Sequence, residues 1–182
     1  MIITISGPPG SGKTSVAKII AKDISADLVS AGSIFRKMAK EMEIDILQLN
    51  KIAEKDFSID SKLDNEILNQ ILEARKSMKN IIVESHIAGW LFKEYSDLSF
   101  YLNAPLRERA RRISIRDRTT YEEALLEIMR REYSHYTRFM LYYGIDITDI
   151  SLFDLSLNTS KLSPQEIANL LEQVISLSFK TV

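Results

Sequence analysis

A chain of 182 residues with 45% hydrophobic and 27% charged residues has the size and make-up of one soluble globular domain. Its net charge of −1 gives no bulk attraction to nucleic acid or acidic membranes. The absence of cysteine excludes disulfides, thiolate metal sites and cysteine nucleophiles. No apolar run approaches the roughly 18 residues of a membrane span, and the chain runs straight into a strand-like segment. A cytoplasmic, monomeric protein without membrane or nucleic-acid partners is expected.

The first five-residue segment after Met1, Ile2-Ile3-Thr4-Ile5-Ser6, is β-branched and predicts a buried parallel strand. It leads into Gly7-Pro8-Pro9-Gly10-Ser11-Gly12-Lys13-Thr14, which fits the phosphate-loop pattern G-x-x-x-x-G-K-[ST] at every fixed position. Residues 15–22 then predict an amphipathic helix. The glycines let backbone N–H groups approach an anion, and the helix N-terminus adds roughly half a positive charge. Lys13 is placed to reach the β- and γ-phosphates and the Thr14 hydroxyl to ligate Mg²⁺. Gly7, Pro8, Pro9, Gly10, Ser11, Gly12, Lys13, Thr14 and Ser15 are the expected ATP-binding residues of this segment.

Further along, residues 27–30 predict a short strand, and a second helix opens at Ala31. Asp45 and Gln48 have capping-box spacing. Residues 60–78 predict a longer helix with Leu63, Ile67, Leu68, Ile71 and Leu72 on one stripe. Residues 80–84 predict a buried strand ending in Glu84, and an acid in that position beside a phosphate loop is suited to hold Mg²⁺ or its waters. Residues 88–91 predict a short helix, residues 97–102 a fourth strand, and Pro105 the start of an arginine-rich helix. A capping box at Thr120 opens the next helix, with Leu125, Ile128 and Met129 expected inward, ending before Gly144. Residues 154–157 predict a fifth strand, and Ser163-Pro164-Gln165-Glu166 caps a last helix reaching about residue 177. Strands alternating with helices imply one three-layer α/β/α domain with a parallel sheet.

Nine of the eleven arginines lie between Arg107 and Arg138, while no lysine occurs from residue 94 to 160. A generic basic surface mixes the two residue types. Arginine alone presents a planar fork that binds phosphate bidentately. Arg109, Arg112 and Arg116 share one helical face, and so do Arg131 and Arg138. A small phosphate-loop protein with a distal arginine cluster suits a phosphotransferase whose lid excludes water from the transferred group. The guanine-specific Asn-Lys-x-Asp motif is absent. The residues leave open a kinase for CMP, AMP, UMP or another small metabolite, a regulatory ATP-binding module, and an RNA-associated protein using residues 107–118.

The chain also resembles the cytidylate kinases, above all the short archaeal type. The resemblance rests on the phosphate loop and on Ser30-Ala31-Gly32-Ser33-Ile34-Phe35-Arg36, Ala88-Gly89-Trp90, Ala104-Pro105-Leu106, Tyr143-Gly144-Ile145-Asp146 and Thr159-Ser160-Lys161. It implies a P-loop kinase fold with a five-stranded parallel sheet. It also implies a helical acceptor-binding region near residues 31–79 and a lid near residues 114–144, all in one domain over residues 1–182. The implied reaction is ATP + CMP → ADP + CDP, with dCMP as a second acceptor and Mg²⁺ as cofactor. The implied roles are Arg109 and Arg112 on the ATP side, and Ser30, Gly32, Arg36, His86, Gly89, Arg131 and Arg138 on the CMP side. Lys13, Arg131 and Arg138 are the expected catalytic residues, and Thr14 and Glu84 the metal residues. His86 stands where the family carries an arginine, and His135 where it carries an acid. At an ordinary pKa near 6.5, His86 would be partly charged near neutrality.

Overall fold

The computed structural model describes residues 1–179. Its centre is a parallel sheet of β1 (Ile2–Ser6), β2 (Asp27–Ser30), β3 (Ile81–Glu84), β4 (Leu98–Asn103) and β5 (Leu155–Asn158), in the order β2-β3-β1-β4-β5. Eight α-helices connect and cover the strands among the described residues: α1 (Lys13–Asp23), α2 (Ala31–Glu41), α3 (Ile46–Ala53), α4 (Phe57–Lys76), α5 (Ala88–Leu91), α6 (Leu106–Asp117), α7 (Tyr121–Tyr143) and α8 (Pro164–Ser178). A short 3₁₀ turn at Lys93–Tyr95, which the sequence pattern did not announce, leads into β4.

Period-two alternation in β1 divides the core. Ile3 and Ile5 point to one face, where they pack with Phe100 and Leu102 against Val16, Ala17 and Ile20 of α1 and Ile167, Ala168 and Leu171 of α8. Ile2 points to the other face, with Ile81 and Val83 against Ile67, Ile71 and Ala74 of α4 and Ala88 of α5. Each buried isoleucine, valine, leucine or phenylalanine among them contributes about 1.5–3 kcal/mol relative to exposure. Both faces of the sheet are thus covered, as a parallel sheet requires.

Two smaller cores lie off the sheet. Met38, Ala39, Leu49, Ala53 and Ile59 tie α2, α3 and α4 together. Ala110, Ile113, Ala124 and Ile128 tie α6 to α7. This second cluster gives the α6–α7 hairpin a packing centre of its own.

The caps at Asp45, Thr120 and Ser163 all form complete capping boxes, so these helices start where the sequence indicates. Elsewhere the boundaries move for identifiable reasons. Gly12 at φ 92° lets α1 begin at Lys13, not at residue 15, so Lys13 and Thr14 belong to the first helical turn. Asp56 caps α4 by accepting from the Ser58 N–H at 2.9 Å, which starts that helix three residues before residue 60. Met78 at φ 52° lies just past its end at Lys76. Two side chains expected inward are exposed: Leu72 at 44% and Met129 at 52%. The inward stripe of α4 runs through Ile59, Ile67, Ile71 and Ala74, and that of α7 through Ala124 and Ile128, which leaves both residues on the outer flank.

Candidate active site

The carboxyl ends of β1, β3 and β4 converge where the strand connections change direction, the usual ligand position of an open α/β sheet. The phosphate loop leaves β1 there. Its turn is closed by the Ser11 N–H bonding to the Pro8 carbonyl at 3.2 Å. Gly7 passes so close to β4 that a Cβ added to it would sit 2.0 Å from the Leu102 carbonyl oxygen. Gly10, at φ 78°, would place a Cβ 2.8 Å from the Arg109 carbonyl oxygen. The loop can lie in this crease only as glycine at both points.

Lys13 is 6% exposed and extends back under the loop, with Nζ 3.3 Å from the Pro8 carbonyl and 3.9 Å from Glu84 Oε1. Register places Glu84 beside Ile5 on one side and Ser30 on the other. The Ser30 hydroxyl donates to Glu84 Oε2 at 2.8 Å. Burial lowers the Lys13 pKa to about 8; Glu84 pulls the other way, and Arg131, Arg109 and Arg116 lower it further. An arriving triphosphate would raise it again. ATP affinity is therefore expected to hold below about pH 8 and to fall above it, by up to about tenfold per pH unit, until the bound-state pKa is reached. Titration calorimetry from pH 7 to 9.5 checks this, and Lys13→Arg, whose charge is fixed, is expected to give a flatter profile.

The arginines do not all stand free. Arg109 is buried and holds the loop from below, donating to the Ala104 carbonyl at 2.9 Å, the Pro9 carbonyl at 3.1 Å and Glu132 at 2.6 Å. Arg112 donates to Glu108 at 3.0 Å and to the Thr159 carbonyl at 2.7 Å, with Nη1 the nearest atom to a Cβ built on Gly12, at 3.7 Å. Thr159 in turn donates to the Ser11 carbonyl at 2.9 Å. Arg116 is paired with Asp117 at 2.6 Å. Arg109 and Arg112 of α6 thus lie against the loop and spend most of their donors on protein, while Arg116 points to its neighbour Asp117.

On α7, Arg131 is about one-third exposed, pairs only at 3.3 Å with Glu127, and lies near enough to Lys13 to depress its pKa. Arg138 differs from the expectation of a free phosphate clamp. It is 5% exposed and lies against Asp60 of α4, with Nη2–Oδ1 at 3.1 Å and Nε–Oδ2 at 3.0 Å. Arg36 on α2 is exposed and donates to Ser33 Oγ at 3.2 Å, with no carboxylate partner among the described residues. Gly32 precedes it by one turn on the same exposed edge.

His86 and His135 meet across the gap between β3 and α7, their ring centroids 4.3 Å apart. His86 Nδ1 faces the Gly7 carbonyl at 2.9 Å, which the Nδ1–H tautomer satisfies. Burial first, then the charge of Lys13, holds His86 well below its ordinary pKa, so the unliganded ring is neutral and not partly charged at neutral pH. His135 is held low mainly by burial and then by Arg138 and Arg131, and it stacks on Phe139 with an interplanar angle of 9°.

Gly89 is buried under α5. Its N–H donates to Ser6 Oγ at 2.8 Å, and a Cβ on it would meet the Phe153 ring at 2.0 Å. It therefore seats α5 on the sheet and turns no edge to a ligand. Trp90 next to it donates to the Asp149 carbonyl at 2.8 Å and stands edge-on to Phe153. A cleft of about 400 Å³ opens between Pro8, His86, Trp90, Tyr101, His135 and Ile147. The sequence pattern singled out neither Asp60 nor Glu132. A carboxylate on an otherwise apolar helix stripe, as at Asp60 between Ile59 and Leu63, is the one signal that could have marked the first.

No group of three or more His, Asp or Glu among the described residues could hold a metal alone. Thr14 and Glu84 are hard oxygen donors at the loop, and a buried carboxylate held by Ser30 beside Lys13 fits a Mg²⁺ ion carried in on nucleotide phosphates. No helix of the described residues is long and apolar enough to cross a membrane.

A phosphate loop on a five-stranded 2-3-1-4-5 sheet, with an arginine hairpin over it, defines the P-loop kinase class. Solved structures agree on the fold. A shikimate kinase from Bacteroides thetaiotaomicron superposes with a TM-score of 0.64 at 12% identity, covering 97% of this chain and 98% of that one. An uncharacterized protein from Eubacterium ventriosum superposes with a TM-score of 0.72 at 16% identity, with the same coverage. Within that class, residues 2–161 match the cytidylate kinase-like family, and the chain belongs to it. It is 56% identical to the cytidylate kinase of Sulfolobus acidocaldarius, over 97% of this chain and 94% of that protein. It is 49% identical to the one of Sulfurisphaera tokodaii, over 97% and 96%.

Proposed function

We propose that this protein transfers the γ-phosphoryl group of ATP to CMP, and to dCMP as a second acceptor, releasing ADP and CDP or dCDP. The observation that carries the reading is the buried Lys13 extended under a phosphate loop that Arg109 of α6 holds from below, in a chain of the cytidylate kinase-like family. The setting is the cytoplasm, and the protein acts as a monomer.

The acceptor phosphate is already an anionic nucleophile, so no side chain has to remove a proton. What the protein supplies is alignment and charge. Backbone N–H groups of residues 7–15 and Lys13 hold the β- and γ-phosphates of ATP. Thr14 and Glu84 would hold Mg²⁺, which would offset the charge of the phosphate groups. Arg36 and Arg131 take the acceptor phosphate and set it in line with the γ-phosphorus. His86 holds the Gly7 carbonyl and so fixes where the loop begins. The α6–α7 hairpin, with a core of its own, serves as the lid that excludes water during transfer.

Arg131→Lys keeps the charge but loses the planar fork. The KM for CMP is expected to rise about tenfold or more, with the KM for ATP little changed. Steady-state kinetics with each substrate varied decides this, and unchanged CMP kinetics would leave Arg131 as a surface residue. The reading as a whole is tested by comparing kcat/KM for CMP, dCMP, UMP, AMP and GMP with ATP–Mg²⁺. CMP and dCMP are expected to lead. Preference for AMP or for no acceptor would refute it.

A further inference from the structure

The outer side of α7 has the make-up of a buried face. Eight residues between Ala124 and Tyr142 are exposed, and Arg130 is the one charge among them. Leu126, Met129, Tyr133, Tyr136, Met140 and Leu141 account for six of the eight, at exposures from 39% to 75%. A helix face turned to water is normally polar or charged. Six large side chains at these exposures present on the order of 600 Å², the upper end of what a monomer leaves uncovered.

Spacing gives this face a form. The first five of these residues follow one another at intervals of three, four, three and four. That alternation is the seam by which one helix lies along another. The chain itself does not use it. Ala124 and Ile128 pack on α6, and Arg138 meets Asp60 of α4, all from the other side of α7.

The seam is also complementary to itself. Two copies laid antiparallel, with a two-fold axis between residues 134 and 135, set Met129 against the partner's Met140 and Tyr133 against the partner's Tyr136. Arg130 then lies roughly 13 Å along the axis from its own counterpart and within a turn of the partner's Tyr136, whose ring suits a guanidinium. Parallel pairing would set the two arginines side by side. Two such faces would bury on the order of 1,200 Å², the lower bound of a stable specific interface.

We propose that the outer face of α7 pairs antiparallel with the same face of a second copy, forming a two-fold dimer that dissociates in the micromolar range. Pairing joins two lids back to back. Arg131 and Arg138 lie on the opposite side of α7, so each copy keeps its site to itself and the single copy remains the acting unit. The pairing does not depend on which acceptor that site takes.

The chain has no cysteine, which makes the register directly testable. Met129→Cys with Met140→Cys is expected to oxidise to a covalent dimer. Within one copy the two positions are roughly 16 Å apart along the helix, too far for a disulfide. Either cysteine alone would stand equally far from its own counterpart, so the single variants are expected to stay uncoupled. Sedimentation velocity of the wild type from about 1 to 200 μM is expected to show monomer giving way to dimer. Tyr133→Glu brings two carboxylates together near the axis and is expected to weaken the dimer about tenfold or more, with circular dichroism unchanged. A wild type that stays monomeric throughout would overturn the proposal. So would Met129→Cys alone coupling as fully as the double variant, which is the outcome of parallel pairing, or a folded Tyr133→Glu protein that dimerises as tightly as the wild type. Should Tyr133→Glu not fold, the cysteine variants and the wild-type sedimentation decide the matter between them.

Discussion

Replacement of Lys13 by alanine is expected to lower kcat on the order of 10²-fold or more, as for the loss of other preorganised charges at a transition state. Lys13 is buried with Nζ 3.9 Å from Glu84, inside the loop that receives the phosphates. In so dry a site a charge acts strongly on the oxygens of the transferred group. The fold is expected to survive, because Lys13 is held at low exposure by the loop and makes one hydrogen bond, to the Pro8 carbonyl. Glu84 keeps Ser30 as its donor in the variant. Circular dichroism with single-turnover kinetics checks both halves of the statement. A folded Lys13→Ala protein with near-normal kcat would remove Lys13 from the chemistry.

Gly7→Ala is expected to do comparable damage by a different route. The added Cβ would lie 2.0 Å from the Leu102 carbonyl oxygen and 2.9 Å from Ser11 Oγ. The serine hydroxyl can rotate away. The β4 carbonyl is fixed in the sheet, where Leu102 is fully buried. The loop must therefore move by an ångström or so, and His86, bonded to the Gly7 carbonyl at 2.9 Å, moves with it. A misplacement of that size costs on the order of 10²-fold in rate. The measurement is kcat beside ATP affinity, with Gly144→Ala as the control: Gly144 also has positive φ, at 65°, yet nothing within 4 Å would meet its Cβ. Equal, small effects in the two variants would show that the crease at Leu102 is not what shapes the loop.

The comparison of these two residues also shows what the sequence could carry. The phosphate loop is legible because its chemistry is local: eight consecutive residues contain the turn, the cation and the hydroxyl. The sheet is legible because its strands are short apolar runs between capped helices, and the three capping boxes locate helix starts to the residue. The arginines were legible as a cluster but not as individuals. Spacing on α7 put Arg131 and Arg138 on one face without disclosing that Asp60, 78 residues away, neutralises one of them. The same holds for Arg109, whose partners Pro9 and Glu132 lie on two other segments. His86 could be named a departure from its family, but its neutral state follows from burial and from Lys13, which only the folded chain brings together. Gly89 was marked by its motif, while its use, the seat for the Phe153 ring, depends on a residue 64 positions on.

The most direct test of phosphoryl transfer between nucleotides is to follow ATP, CMP and Mg²⁺ with the purified protein by ³¹P nuclear magnetic resonance. The expected result is the growth of the α and β resonances of CDP in step with those of ADP, one for one, with no inorganic phosphate until the substrates are spent. ADP and inorganic phosphate rising together while CMP stays unchanged would mean that water is the acceptor, and would contradict the account.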